Sequence, residues 1–189
     1  MKNKCLTILA ALLLSHILAL CGSILPIRDL THEPRAVNTC ADPSVTVVYV
    51  EAYSHAITRH VLQRRAVFVH QNTVINALWE IQEEAFRAWK DPQNFTFPIY
   101  QLSSPSGADF IYVLSTTGSP PVVSGFPTAS ILGYAYSTQV CGSLPLLSAA
   151  QTAIGDRYYT TDQDEHDQLV SFGWVDKGIV AYVLPVDID

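Results

Sequence analysis

The chain has 189 residues, 11 Lys and Arg against 17 Asp and Glu, and a formal net charge of −6, with 49 % of its residues apolar. That size suits one domain around a single core. With no surplus of basic side chains to neutralise phosphates, nucleic acid and anionic membranes are poor partners.

Lys2 and Lys4 open the chain, and the run from Cys5 to Cys21 that follows is uncharged, interrupted only by Thr7, Ser15 and His16. A membrane span, the alternative, needs about 20 apolar residues and a charged stop. This run gives way instead to Cys21, Gly22 and Ser23, the profile of a signal peptide over 1–23, which predicts secretion to the extracellular space without stable membrane insertion. Loss of Lys2 and Lys4 leaves nine basic against seventeen acidic residues, a net charge of −8. From 24 to 44 the chain carries Pro26, Pro34 and Pro43 and no apolar period, and reads as an extended leader ahead of one domain over 45–189.

Cys40 and Cys141 are the pair left after the signal peptide, and an oxidising compartment predicts a disulfide. Closing a loop of about 100 residues would stabilise the fold by about 4–5 kcal/mol on the chain-entropy account. Asn94-Phe95-Thr96 is an N-glycosylation acceptor.

Self-similarity organises the domain. Val48-Tyr-Val-Glu-Ala-Tyr53, Pro98-Ile-Tyr-Gln-Leu-Ser103 and Pro145-Leu-Leu-Ser-Ala-Ala150 begin three degenerate units, about 46–96, 97–143 and 144–187. Arg59, Asp109 and Asp156 stand at one matching position, each followed by a β-prone run. A small or apolar residue and a large aromatic come later: Leu78-Trp79, Gly133-Tyr134 and Gly173-Trp174. A second β-prone run closes each unit, degraded around Cys141 in the second copy. In the third copy Asp162 is the expected N-cap of a short helix, with Leu169, Val170 and Phe172 facing inward. In the first copy the apolar spacing from Asn72 to Lys90 fits a long amphipathic helix, whereas the repeat register aligns Trp79–Trp89 with the closing strand Trp174–Leu184. Tertiary context overrides propensity, so the register is followed and a strand expected.

The expected fold is mainly β with short helices: three repeats of about 45 residues in a pseudo-threefold closed structure, like a β-trefoil or small propeller, which hides sheet edges. Gly155-Asp156-Arg157-Tyr158-Tyr159-Thr160-Thr161, the acidic helix, Gly173-Trp174 and Gly178-Ile179-Val180-Ala181-Tyr182 resemble a repeat domain of unknown function found in secreted fungal and bacterial proteins, alone or appended to hydrolases and peptidases. The resemblance runs from about Thr46 to Pro185, is strongest in the third copy, and implies no catalytic residues.

The chain has no Gly-x-Ser-x-Gly elbow, His-Glu-x-x-His pair or phosphate-cradling loop, so no enzyme activity, cofactor or metal is expected. The cluster Asp162, Asp164, Glu165, His166 and Asp167 reads as a helix start rather than a calcium loop. His55, His60 and His70 have no zinc spacing and read as scattered surface residues. Asp109 and Asp156 invite comparison with a glycosidase pair, but matching repeat positions favour matching structural roles. Trp79, Tyr134 and Trp174 read as core, or, if exposed in clefts, as platforms for sugar rings acting through avidity. With Asp109 and Asp156 they are the candidate binding residues. Two functions follow: binding of an extracellular polysaccharide or glycoprotein, or a secreted protein–protein interaction or structural role without a sugar ligand.

Overall fold

In the computed structural model residues 39–187 are described. The signal peptide expected over 1–23 and the leader up to residue 38 lie outside the described residues. Among the described residues no helix is long and apolar enough to cross a membrane.

The chain enters through a short 3-10 turn, Pro43–Val45, capped by the Asp42 carboxylate. The strands are β1 (Thr46–Ser54), β2 (Arg59–Gln63), β3 (Trp79–Trp89), β4 (Phe97–Ser103), β5 (Phe110–Leu114), β6 (Thr128–Ala135), β7 (Leu144–Gln151), β8 (Asp156–Thr160) and β9 (Val175–Val183). Two helices, α1 (Arg65–Ile75) and α2 (Gln163–Ser171), sit between the second and third strands of the first and last strand triplets.

All pairings are antiparallel, and in each triplet the first strand is central, giving β2-β1-β3, β5-β4-β6 and β8-β7-β9. The Trp89–Tyr134 pair joins the first two triplets into a six-stranded sheet that curls into a half-barrel. The curl has a local cause. Register shifts fall at the same step of each central strand, between Tyr49 and Val50, Ile99 and Tyr100, and Leu146 and Leu147. The extra residue opposite is Ala85, Leu132 or Val180, and a bulge bends and twists its strand.

The main core gathers Tyr49, Leu62, Phe86, Ile99, Tyr112, Leu146, Tyr159 and Val183. The Tyr112 hydroxyl donates to the Leu62 carbonyl (2.9 Å) and accepts from the Leu62 N–H (2.8 Å), satisfying both main-chain groups of a buried β2 residue. Its ring meets Tyr159 edge-on at 4.9 Å. Tyr49 stacks on Phe86 and donates to the Leu132 carbonyl; burial pushes its phenol up to about 12. Gly133 is dictated by this packing, since a Cβ there would collide with the Tyr49 hydroxyl and the Trp89 carbonyl.

The ends of the three closing strands meet. Arg87 and Leu184 exchange main-chain hydrogen bonds at 2.9 Å, as do Tyr136 and Tyr182 at 3.0 Å. Trp89, Tyr136, Leu184 and Ala41 form a second apolar cluster there. The Trp89 indole donates to the Asp42 carbonyl (2.6 Å), and the Tyr136 hydroxyl accepts from the Ala41 N–H (2.9 Å). The expected Cys40–Cys141 disulfide is present, with 5.7 Å between Cα atoms.

Residues 79–89 are strand, as the repeat register required, although their apolar spacing is helical. Three readings need correction. The closing strand of the second triplet is β6, not the stretch around Cys141, so Tyr134 lies near its end, opposite Pro98. In that register Tyr134 matches Arg87 and Tyr182, while Trp79, opposite Ser54, matches Trp174, one residue before Val175 opposite Ala150. The insertion between β5 and β6 hid this from a reading based on the Gly-aromatic step. In α2, Asp162 is the cap, accepting from the Asp164 and Glu165 N–H groups, but the inward residue is His166. Phe172 is 72 % exposed because it follows the last turn, and Val170 also faces solvent. Finally, His60 is no surface residue: its side chain is largely buried against Asp156, while His55 and His70 are exposed.

Candidate functional site

Glu51 stands in the middle of β1, directly opposite Glu83 of β3. Paired residues leave the same face of a sheet, so two carboxyls are brought together. Glu51 is fully buried; Oε1 accepts from the Tyr159 N–H (3.3 Å), and Oε2 has no hydrogen-bond partner among the described residues. Burial first, and the Glu83 carboxylate second, push Glu51 well above the usual carboxylate range. Glu83 is raised too, by burial and then by Glu165.

Tyr158 of β8 lies between strand and helix. Its hydroxyl is 3.2 Å from Glu83 Oε1 and 3.0 Å from Glu165 Oε1. A phenol carries one proton, so it donates to one carboxylate at a time, and the other contact is a hydrogen bond only when that carboxyl is itself protonated. Burial, with Glu51, Glu83 and Glu165 around it, raises the Tyr158 phenol and keeps it neutral. His60 of β2 meets the Tyr158 ring edge-on at 5.2 Å and leans on Tyr53 at 4.7 Å. The Asp156 carboxylate holds it, accepting from the His60 main-chain N–H at 2.8 Å and lying 2.8 Å from Nδ1.

These groups border a cleft of about 470 Å³ lined by His60, Gln82, Glu83, Tyr158, Glu165, Leu169 and Trp174. A second hollow of about 350 Å³ shares Glu83 and Glu165 and adds Glu84, Asp162 and Asp187. Neither is lined by a Lys or Arg among the described residues. The pair forms a trough rich in acceptors, with aromatic rings at one end.

Of the residues singled out by sequence, Trp174 lines the cleft and Asp156 anchors its His60. Trp79 is half-buried, packed on Phe68 at 5.1 Å, and Tyr134 is half-buried against the Trp89 cluster. Asp109 pairs with Arg157 at 3.2 Å. The two aspartates therefore serve separate contacts and do not face each other across a ligand. Asn94 is exposed in the turn between β3 and β4. Among the described residues no group of three His, Cys, Asp or Glu has the geometry to hold a metal ion.

Sequence reasoning passed over Glu51 and Glu83. Glu51 had a signal, an acid inside the β-prone run Val47–Tyr53, where a charge is costly unless used. Glu83 had none, because its partner across the sheet depends on a bulge.

No curated protein and no solved structure matches this chain. Residues 48–184, from β1 to just beyond β9, match the family described as Domain of unknown function (DUF5648). Glu51, Glu83, Tyr158, Glu165 and Trp174 all lie within that span, and the chain belongs to the DUF5648 family.

Proposed function

We propose that this protein is a secreted, non-catalytic carbohydrate-binding module with one principal site, the cleft at Trp174, Tyr158, Glu83 and Glu165. The observation that carries the reading is the combination in one sugar-sized cleft of aromatic rings with carboxylate, amide and imidazole groups. Aromatic faces stack on the C–H faces of sugars while carboxylates accept from their hydroxyls. Binding is centred on Trp174 rather than spread over three rings, since Trp79 and Tyr134 pack into the fold. The Tyr158 hydroxyl sits between Glu83 and Glu165, where a glycosidic oxygen would have to stand for two-carboxylate hydrolysis; this favours binding over cleavage. Secretion is supported by the disulfide and by the exposed Asn94 acceptor.

The scaffold in this proposal is a closed pseudo-threefold array of three repeats. Its support is the shared strand order, the matching bulges, and contacts that step from one copy to the next: Asp109 to Arg157, and Asp156 to His60. Each aspartate reaches the residue following the matching position in another copy.

The test is retention of the oxidised, secreted protein on insoluble polysaccharides and a glycan array, beside a folded Trp174→Ala variant. Retention on one glycan class, weakened by the substitution and without release of reducing ends, is expected. Absence of retention at high protein concentration overturns the reading.

A further inference from the structure

Resting on that reading, we propose that the trough selects sugars bearing a free amine, seating a protonated 2-amino group against Glu83 and Glu165, beside the Tyr158 hydroxyl that lies between them. Three observations point to a cation rather than a neutral hydroxyl. Glu83, Glu165, Glu84, Asp162 and Asp187 line the two joined hollows, and no Lys or Arg among the described residues lines them to offset that charge. Glu51, wholly buried and directly opposite Glu83 in the sheet, keeps one oxygen without a hydrogen-bond partner among the described residues. A buried, unpartnered carboxyl oxygen is costly, and when ionised Glu51 adds to the negative field at Glu83 and Glu165. Lastly, the Tyr158 hydroxyl touches two carboxylates with one proton to give.

An ammonium resolves all three. It has three donors and no acceptor, so it bonds to Glu83 and Glu165 together while Tyr158 donates to either one. The sugar ring then lies against Trp174, with Gln82 and His60 within the same cleft. An N-acetylated sugar carries a neutral amide at that place and leaves the carboxylates without a counter-charge.

The titratable groups lining the two hollows are His60 from β2, Glu83 and Glu84 from β3, Tyr158 from β8, Asp162 and Glu165 at α2 and Asp187 beyond β9, with Glu51 from β1 opposite Glu83 and Asp156 from β8 holding His60. Burial and neighbouring acids favour the protonated forms of Glu51 and Glu83, whereas an ammonium favours their carboxylates, so cation binding is coupled to proton release. Affinity falls at low pH as these carboxyls protonate, and at high pH as the amine loses its charge.

The experiment is calorimetric titration of the full secreted protein with glucosamine oligomers, the N-acetylated oligomers of the same length, and a simple alkyl diamine. The expected result is at least about tenfold tighter binding of the free-amine oligomer, with heats that depend on the buffer's ionisation enthalpy, as proton release requires. Glu83→Gln removes the preference for the free-amine oligomer. Equal binding of both oligomers overturns the amine selectivity and leaves carbohydrate binding standing. Diamine binding as tight as the oligomer's overturns the sugar part, and no binding of any sugar overturns both this inference and the function on which it rests.

Discussion

Trp89 and Glu83 belong to one strand yet sit in contrasting surroundings. At Trp89 the chain is apolar and its polar atoms are paired: the indole to the Asp42 carbonyl, the Tyr136 hydroxyl to Ala41, and the main chains of Arg87, Tyr136, Tyr182 and Leu184 to one another. At Glu83 the neighbours are Glu51 and Glu165, one oxygen of the buried Glu51 carboxyl has no hydrogen-bond partner among the described residues, and no Lys or Arg among the described lining residues offsets the charge. The first arrangement lowers the energy of the fold. The second raises it, the usual mark of residues kept for something other than stability.

If this contrast holds, substitutions at the two places act in different currencies. Trp89→Ala removes a fully buried ring and leaves a cavity, and is expected to cost about 3–5 kcal/mol in urea unfolding. Removal of the disulfide by paired Cys40→Ser and Cys141→Ser substitutions should cost about 2–5 kcal/mol in the same measurement, since the bridge ties the entering chain to the Trp89 cluster. Tyr112→Phe strands both main-chain groups of Leu62 and should cost about 1–3 kcal/mol. An effect of Trp89→Ala no larger than that of a surface substitution would refute the structural role given to the cluster.

The acidic region is expected to show itself in pH dependence. The Glu51 carboxyl is raised in the folded state above its reference value of 4.5, so the folded protein holds that proton more tightly than the unfolded chain. Its contribution is therefore complete below the unfolded value and is lost as pH rises through the folded value. Urea midpoints should fall across that window in the parent protein, and Glu51→Gln should flatten the slope. A variant with the parent's slope would show that Glu51 is not the group responsible. The smallest effect is expected at Phe172→Ser, within about 0.5 kcal/mol, because the ring projects into solvent; a larger loss would return Phe172 to the core.

Much of the strand plan was legible. The repeat register located all three opening strands and preferred strand to helix at 79–89, against local apolar spacing. The Asp162 cap was legible because capping is a local transaction between a side chain and the next few N–H groups. The match of Tyr134 with Trp79 and Trp174 was misread, because an insertion moves the Gly-aromatic step along β6 without changing its appearance. His60 looked like a surface residue because its partner, Asp156, belongs to another strand triplet. The cleft was half legible: Trp174 was named, while Glu83 and Glu165 meet only through Tyr158.

Sequence alone determined the β-rich class, the Cys40–Cys141 pair, the capped acidic helix and the aromatic at Trp174, since each depends on residue type and short spacing. Tertiary structure alone decided that Glu51 lies opposite Glu83, that α2 turns Phe172 outward and His166 inward, and that three strand triplets bring their closing strands together at Trp89, Tyr136 and Leu184. The reason is the pleat: one bulged residue reverses which side chains share a face, and that reversal is set by strands far apart in the chain.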